Sequence, residues 1–371
     1  MKVLFSCGGT GGHINPAIAI ADTLKQKDKS FEALFVGAEN GMEGTLVPKS
    51  GYDIKFVKVR GFKRKLSLSN IDAAIKAVTS VHAAKKIIKK FAPDVVVGTG
   101  GYASWAAVKA AAKLGIPTVI HEQNAYPGVT TRRLSRYAKK VCISFEESKK
   151  YFDENVLEKI TITGNPVKPE INTTDRKKSR EELGLGDEVY IVSFGGSLGA
   201  EKVNEFVFHM LGSFVKGNDK VRALHATGKG GNEKYGAIAA STGLNKAPNI
   251  EIREYIYDMH RQLAAADIVI CRAGAITIAE NCCMGKASIL IPSPNVTDDH
   301  QYKNAKVLAD AGAALLLKES ETDGKVLTDT VRELVVNKEK RNAMSAAAKA
   351  RAMSNAAEVI ADIVIKESKK A

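Results

Sequence analysis

Two segments of this chain repeat one pattern of residues suited to phosphate chemistry. Ser6-Cys7-Gly8-Gly9-Thr10-Gly11-Gly12 and Ser193-Phe194-Gly195-Gly196-Ser197-Leu198-Gly199 both read Ser-x-Gly-Gly-Ser/Thr-x-Gly and lie about half the chain apart. Each follows a β-rich run and leads into apolar residues at helical spacing. A strand that ends in glycines and opens into a helix presents unpaired backbone N–H groups and the positive end of the helix dipole, which together hold phosphate. Glycines there also serve a helix that merely packs close on its sheet, but repetition at matched positions favours a ligand.

Polar side chains cluster at the same kind of place. His13 closes the first turn, and an imidazole with a free pKa of about 6.5 suits a general base on an attacking hydroxyl, although it would also suit a capped helix start. His121-Glu122-Gln123-Asn124 sets four polar side chains in a row, more than a structural strand end requires. In Cys271-Arg272-Ala273-Gly274-Ala275 a strand ends in small residues that let a sugar or phosphate approach the backbone. Glu280 follows on the next helix, able to accept both hydroxyls of a ribose, although an isolated helical Glu is also ordinary surface. Asp298-Asp299-His300-Gln301-Tyr302-Lys303-Asn304 reads as a polar loop that could close over a donor sugar.

Competing chemistries lack their signatures. Neither turn spells Gly-x-Gly-x-x-Gly, and the run 33–36 leads into Gly37-Ala38-Glu39 rather than an Asp closing the strand, which disfavours a dinucleotide. No Gly-x-x-x-x-Gly-Lys-Ser/Thr is present for a P-loop, and no Asp-x-Asp to hold a metal diphosphate. The expectation is diphosphate binding with neither metal nor cofactor.

The elements that must position these residues alternate β and α. Strand-like runs at 2–6, 33–36, 54–59, 94–98, 118–121 and 140–143 are answered by 189–194, 221–225, 250–253, 268–271, 288–291 and 313–317, with helical patterns between. Asn15 reads as the cap of the first helix, with Pro16 near its first position. Both halves therefore read as α/β, doubly wound parallel sheets. The boundary falls near Gly164-Asn165-Pro166-Val167-Lys168-Pro169, followed by an uncommitted polar stretch at 172–182, and the tail from Asn355 is helical and free to pack on either half. A length of 371 residues also exceeds the roughly 250–300 at which one core stops growing.

A net charge of +14 suits an anionic partner, whether nucleic acid, an acidic membrane or a phosphorylated substrate. Five cysteines, odd in number and without Cys-x-x-Cys spacing, indicate a reducing cytoplasm with neither structural disulfides nor zinc. The N-terminus reads straight into a strand, so no export signal is expected, and no run of about 18 apolar residues reads as a membrane span.

Read together, Gly8-Gly9-Thr10-Gly11-Gly12-His13 with Asn15-Pro16-Ala17, Gly100-Gly101-Tyr102-Ala103-Ser104, His121-Glu122-Gln123-Asn124-Ala125, Gly164-Asn165-Pro166-Val167, Gly195-Gly196-Ser197-Leu198-Gly199-Ala200 and Arg272-Ala273-Gly274-Ala275 resemble one family. It is the bacterial UDP-N-acetylglucosamine:lipid I N-acetylglucosaminyltransferases of peptidoglycan synthesis, matched in order from Met1 to at least Asn304. The resemblance implies a GT-B fold, two Rossmann-like domains facing a cleft: residues 1–164 for the acceptor and membrane, and 165–371 for UDP-GlcNAc, with the final helix at about 355–371 free to pack back. It implies transfer of GlcNAc, with inversion, to the C4 hydroxyl of MurNAc in undecaprenyl-pyrophosphoryl-MurNAc-pentapeptide (lipid I), forming lipid II.

By the same likeness Thr10, Gly11, Gly12 and Asn124 contact the donor sugar and diphosphate, and Ser197 contacts the diphosphate. Ile256 serves the uracil, Ala275 the sugar, Glu280 the ribose and Gln301 the sugar and phosphate region, while His13 and Glu122 belong to the acceptor chemistry, His13 as the first candidate for the base and Glu122 as the second. The family commonly has Arg where this chain has Lys168, and an ammonium cannot form the bidentate fork. No cofactor or metal is implied. The basic surplus finds its partner in an anionic membrane surface rather than nucleic acid, with the chain peripheral on the cytoplasmic face of the inner membrane beside cell-wall synthesis and division proteins. Arg60-Gly61-Phe62-Lys63-Arg64-Lys65-Leu66, then Ile71, Ile75, Val78 and His82 on one helical face and Lys85, Lys86, Lys89 and Lys90 near its end, form the expected docking surface, unless the apolar three are core. Another GT-B glycosyltransferase, a UDP-GlcNAc epimerase of similar fold and a non-catalytic nucleotide-sugar binder stand as alternatives.

Overall fold

The computed structural model describes residues 1–59 and 68–369, leaving aside the side chains of 68–74. The basic segment with Lys63, Arg64 and Lys65, and the side chain of Ile71, lie outside the described residues.

The chain forms two compact units, one of Met1–Val167 with Met353–Ala371 and one of Lys168–Ala352. The first holds β1 (Lys2–Ser6), β2 (Glu32–Ala38), β3 (Asp53–Val57), β4 (Val95–Gly98), β5 (Thr118–Glu122), β6 (Lys140–Ile143) and β7 (Ile160–Ile162), in the order β3-β2-β1-β4-β5-β6-β7. The second holds β8 (Val189–Phe194), β9 (Val221–Ala226), β10 (Ile250–Arg253), β11 (Ile268–Cys271), β12 (Ala287–Leu290) and β13 (Ala314–Leu316), in the order β10-β9-β8-β11-β12-β13. Every pairing is parallel. Central strands such as Val95-Val96-Val97-Gly98 and Ile268-Val269-Ile270-Cys271 are buried throughout, because helices cover both sheet faces.

The strand-like runs fall on observed strands to within two residues at each end; β7 is the addition, since three residues are too few to show a period. The first helix departs from expectation. It spans Gly11–Lys27 with Thr10, not Asn15, at its cap, and Pro16 lies inside it. The glycine turn itself winds into the first helical turn, because His13 N–H and Ile14 N–H both reach the Thr10 carbonyl (3.0 and 3.2 Å). The polar stretch 172–182 is also ordered. Asp175 caps the helix Arg176–Glu182 by accepting from Lys178 N–H (2.8 Å), and Arg176 and Arg180 both hold Asp267 (2.8 and 3.0 Å). The final helix, Ala356–Ser368, joins the first unit: Ile360, Ala361 and Val364 pack with Ile14, Ala17, Ile20 and Leu24, and Lys27 pairs with Asp362.

Candidate active site

In each sheet the strand order reverses beside the strand that feeds a glycine turn, between β1 and β4 and again between β8 and β11. Ligands of open α/β sheets bind at the carboxyl ends of strands flanking such a reversal. Register brings those ends level: Ser6 pairs with Gly98, and Phe194 with Cys271. Two motif-bearing loops thus meet in each unit, residues 7–13 with 99–104 in the first and 195–200 with 272–277 in the second.

The first turn already holds an anion. Glu43, wholly buried, accepts from Gly9 N–H at 3.1 Å and from Ala38 N–H at 2.8 Å. A Cβ on Gly41 would collide with that carboxylate, which explains a glycine there. Among the described residues, the N–H groups of Thr10, Gly11 and Gly12 meet no acceptor, so the outer part of the turn is open. In the first turn, therefore, one N–H group is already taken by a side chain of the protein.

His13 follows at the rim and is half-buried. Its Nδ1 meets Gln123 Oε1 at 2.9 Å, and its backbone carbonyl accepts from Thr99 Oγ1 at 2.7 Å. Gly100 makes room: a Cβ there would lie in hard contact with the imidazole, and the residue adopts φ +118°. Behind it, Gln123 Nε2 donates to the Thr99 carbonyl (2.8 Å) and approaches His121 Nδ1 (2.9 Å), while His121 Nε2 meets the Gly164 carbonyl (3.0 Å). Burial pushes the His121 imidazole down to about 4, the Gly164 bond opposing and the charge of His13 assisting.

Glu122 is also buried. Its Oε1 accepts from Asn124 N–H (3.0 Å) and Asn124 Nδ2 (3.2 Å), and its Oε2 from Gly128 N–H (3.0 Å), so the carboxylate braces the loop carrying Asn124. The His-Glu-Gln-Asn run divides its labour: His121 and Gln123 reach back towards His13, whereas Glu122 holds Asn124.

In the second unit the glycine turn opens onto a pocket of about 580 Å³. Ser197, Leu198, Arg272, Thr277, Gln301 and Glu319 are among its lining residues. The turn is held by its carbonyls, Lys229 N–H donating to Ser197 (3.2 Å) and Gly230 N–H to Leu198 (3.0 Å). The Ser197 and Leu198 N–H groups meet no acceptor among the described residues. The helix Glu201–Met210 begins immediately after, so its positive end adds to the cradle. Gln301 is oriented by its Oε1, which accepts from Ser293 N–H (2.9 Å). Arg272 donates to the Ile291 and Pro292 carbonyls (both 3.2 Å) and pairs with Glu319 at 2.5 Å, a cation set at the strand end with its own counter-charge.

Ala275 follows the lining residue Gly274 and starts the helix Ala275–Cys283, which carries Glu280. Burial pushes the Glu280 carboxyl up to about 7, and the Lys168 ammonium pulls the other way. Ile256 is buried. Ile256, Glu280 and Lys168 are not among the residues lining the pocket, whereas Ser197 and Gln301 share it. Sequence reasoning missed Glu43 and Glu319, which stand in no motif, and the link from Gln123 to His13, which no spacing reveals.

Two Rossmann-like parallel-sheet units with these switch-point sites define a glycosyltransferase of the GT-B fold. Residues 3–143 match the glycosyltransferase family 28 N-terminal domain and residues 190–360 its C-terminal domain, and the chain belongs to that family. It is 42% identical over 365 residues, 98% of its length and 97% of the relative's, to the UDP-N-acetylglucosamine–N-acetylmuramyl-(pentapeptide) pyrophosphoryl-undecaprenol N-acetylglucosamine transferase of Acetivibrio thermocellus. The Bacillus cytotoxicus protein of the same name is 39% identical over 371 residues, covering both chains in full. Among solved structures, Acinetobacter baumannii MurG superposes with a TM-score of 0.79 at 31% identity, covering 98% of this chain and 99% of that one.

Proposed function

We propose that this chain transfers N-acetylglucosamine from UDP-GlcNAc to the C4 hydroxyl of the MurNAc unit of lipid I, with inversion, producing lipid II and UDP. The observation that carries the reading is the second unit's pocket, where unpaired N–H groups of a glycine turn and a helix start stand beside Ser197 and Gln301 at a sheet switch point. Full-length kinship with transferases named for this substrate pair supports it.

In this reading the diphosphate lies on the turn at Ser197, the sugar near Ala275 and Gln301, the ribose at Glu280 and the uracil at Ile256, with Lys168 beside Glu280. Thr10, Gly11, Gly12 and Asn124 complete the contacts to sugar and diphosphate. The acceptor oxygen bonds to the anomeric carbon as the bond from that carbon to the β-phosphate oxygen breaks. UDP leaves with the electron pair, and the hydroxyl proton passes to His13. Negative charge grows on the departing diphosphate, where the turn's N–H groups stabilise it without needing a metal. The sugar passes through an oxocarbenium-like state. Glu122 acts by holding Asn124 in place.

No helix among the described residues is long and apolar enough to cross a membrane. Peripheral docking on the cytoplasmic face is supported by the helix Leu68–Phe91, where Ser80, Ala84 and Ile88 form the buried face. Ile75 and Val78 are 58% and 73% exposed, so these two are not core, and exposed His82, Lys86, Lys89 and Lys90 follow them. Cell-wall synthesis and division proteins are the partners such a position would meet.

Following UDP release from UDP-GlcNAc with a short-chain lipid I analogue, with and without EDTA, tests donor, acceptor and metal independence together. Release that needs the acceptor and survives EDTA is expected. Turnover of UDP-GlcNAc without acceptor would indicate an epimerase, and tight binding with no turnover a mere binder.

A further inference from the structure

We propose that Gln123 is a positioning residue that holds His13 in the tautomer with its proton on Nδ1, so that the Nε2 lone pair is left to take the acceptor's proton. The proposal rests on the reading of His13 as the base. The orientation of the Gln123 amide decides the matter. Its nitrogen lies 2.8 Å from the Thr99 carbonyl, which can only accept, so that end must be the NH2. The second hydrogen of the same nitrogen is directed to His121 Nδ1 at 2.9 Å. Turning the amide round would set its oxygen against the Thr99 carbonyl, two acceptors with no hydrogen between them.

With the nitrogen so placed, Oε1 is the atom 2.9 Å from His13 Nδ1, and a carbonyl oxygen offers that nitrogen nothing to accept. Nδ1 must therefore carry hydrogen, which is how the partner of one ring nitrogen fixes the role of the other. The rest of the relay is consistent. His121 accepts at Nδ1, so its Nε2–H donates to the Gly164 carbonyl at 3.0 Å, and its depressed pKa keeps it neutral and unable to push a second proton towards His13. Gln123 is itself clamped, buried in the unit with its backbone carbonyl accepting from Asn165 Nδ2 at 3.0 Å. In free histidine the opposite tautomer, with hydrogen on Nε2, predominates, and it would turn a donor rather than an acceptor towards the hydroxyl.

The test is the 15N chemical-shift pattern of the neutral His13 ring, assigned by its loss in His13→Ala, in the wild-type chain, Gln123→Met and Gln123→Glu. Hydrogen on Nδ1 is expected in the wild type and in Gln123→Glu, whose carboxyl, protonated on the side facing the Thr99 carbonyl, keeps an acceptor oxygen towards His13, and hydrogen on Nε2 in Gln123→Met. Gln123→Met should lose at least about tenfold in kcat, part of the ~10²–10⁴ a general base supplies, with KM for UDP-GlcNAc unchanged, and Gln123→Glu should recover most of it. Hydrogen on Nε2 in the wild type, or on Nδ1 in Gln123→Met, overturns the proposal. Full activity of His13→Ala overturns the reading of His13 as base instead, and leaves the tautomer pattern as expected.

Discussion

The Glu43 carboxylate accepts a hydrogen bond from Gly9 N–H at 3.1 Å, so an internal side chain occupies the heart of the first glycine turn while the matching turn at Ser197 stays open. Glu43 also ties down Ala38 N–H at the end of β2, joining the loops after two neighbouring strands. Its negative charge raises the thiol pKa of Cys7 further, beyond the rise that burial already imposes.

Removing that carboxylate should cost stability before it costs chemistry. Glu43→Ala leaves two part-buried N–H groups without their acceptor and should lose about 1–2 kcal/mol in urea unfolding. Stability within about 0.5 kcal/mol of wild type would show that water replaces the carboxylate freely.

Gly100 should prove a kinetic residue. In Gly100→Ala the added methyl displaces the His13 ring and the backbone is strained at φ +118°. A misplacement on the order of 1 Å costs about 10²-fold in rate, so kcat should fall by that order while KM for UDP-GlcNAc stays within about twofold. Steady-state kinetics check this; an unchanged kcat would place the base elsewhere.

Donor binding should weaken in acid through Glu280. With its carboxyl pushed up to about 7, the ionised acceptor for the ribose hydroxyls is lost progressively below that pH, and KM for UDP-GlcNAc should rise. Glu280→Gln should abolish this limb. Lys168→Met, which removes the charge pulling the pKa down, should move the limb to higher pH. A pH profile identical in all three proteins would exclude Glu280 from the donor site.

Acid should also weaken the fold. His121 and His225 are buried, and burial pushes their imidazoles down to about 4 and about 3 from 6.5. Below pH 6.5 the unfolded chain binds protons that the folded chain excludes, so stability is complete above that pH and falls as pH drops towards 3. Thermal melts from pH 7.5 to 4.5 should show a steadily falling midpoint. His225→Asn, which loses the bonds to Ser193 (2.9 Å) and Asn204 (3.2 Å), should start lower and fall less steeply.

Much of the fold was legible because parallel strands buried on both faces read as short apolar runs. Val95-Val96-Val97 and Ile268-Val269-Ile270 announce themselves without any neighbour. The paired glycine turns were legible for a related reason, since Gly9 and Gly196, at the same place in each, adopt the left-handed φ of +89° and +99° that favours glycine. Thr10 at the helix cap was missed because Asn15-Pro16 carries the stronger local signal, and only the turn's own winding overrides it. The 172–182 stretch was unreadable because Asp267, some 90 residues on, is what its arginines bind.

By itself the sequence determined the two-unit α/β architecture and marked the glycine turns and His13 as candidate sites, since these follow from local periodicity and residue type, whereas Ser197 and Gln301 were singled out by the family resemblance. Tertiary structure alone decided which turn is open and which nitrogen of His13 is held by Gln123. Those outcomes depend on Glu43 arriving from the helix that follows β2 and Gln123 from the loop that follows β5, and hydrogen bonds between residues so distant in the chain leave no trace in its spacing.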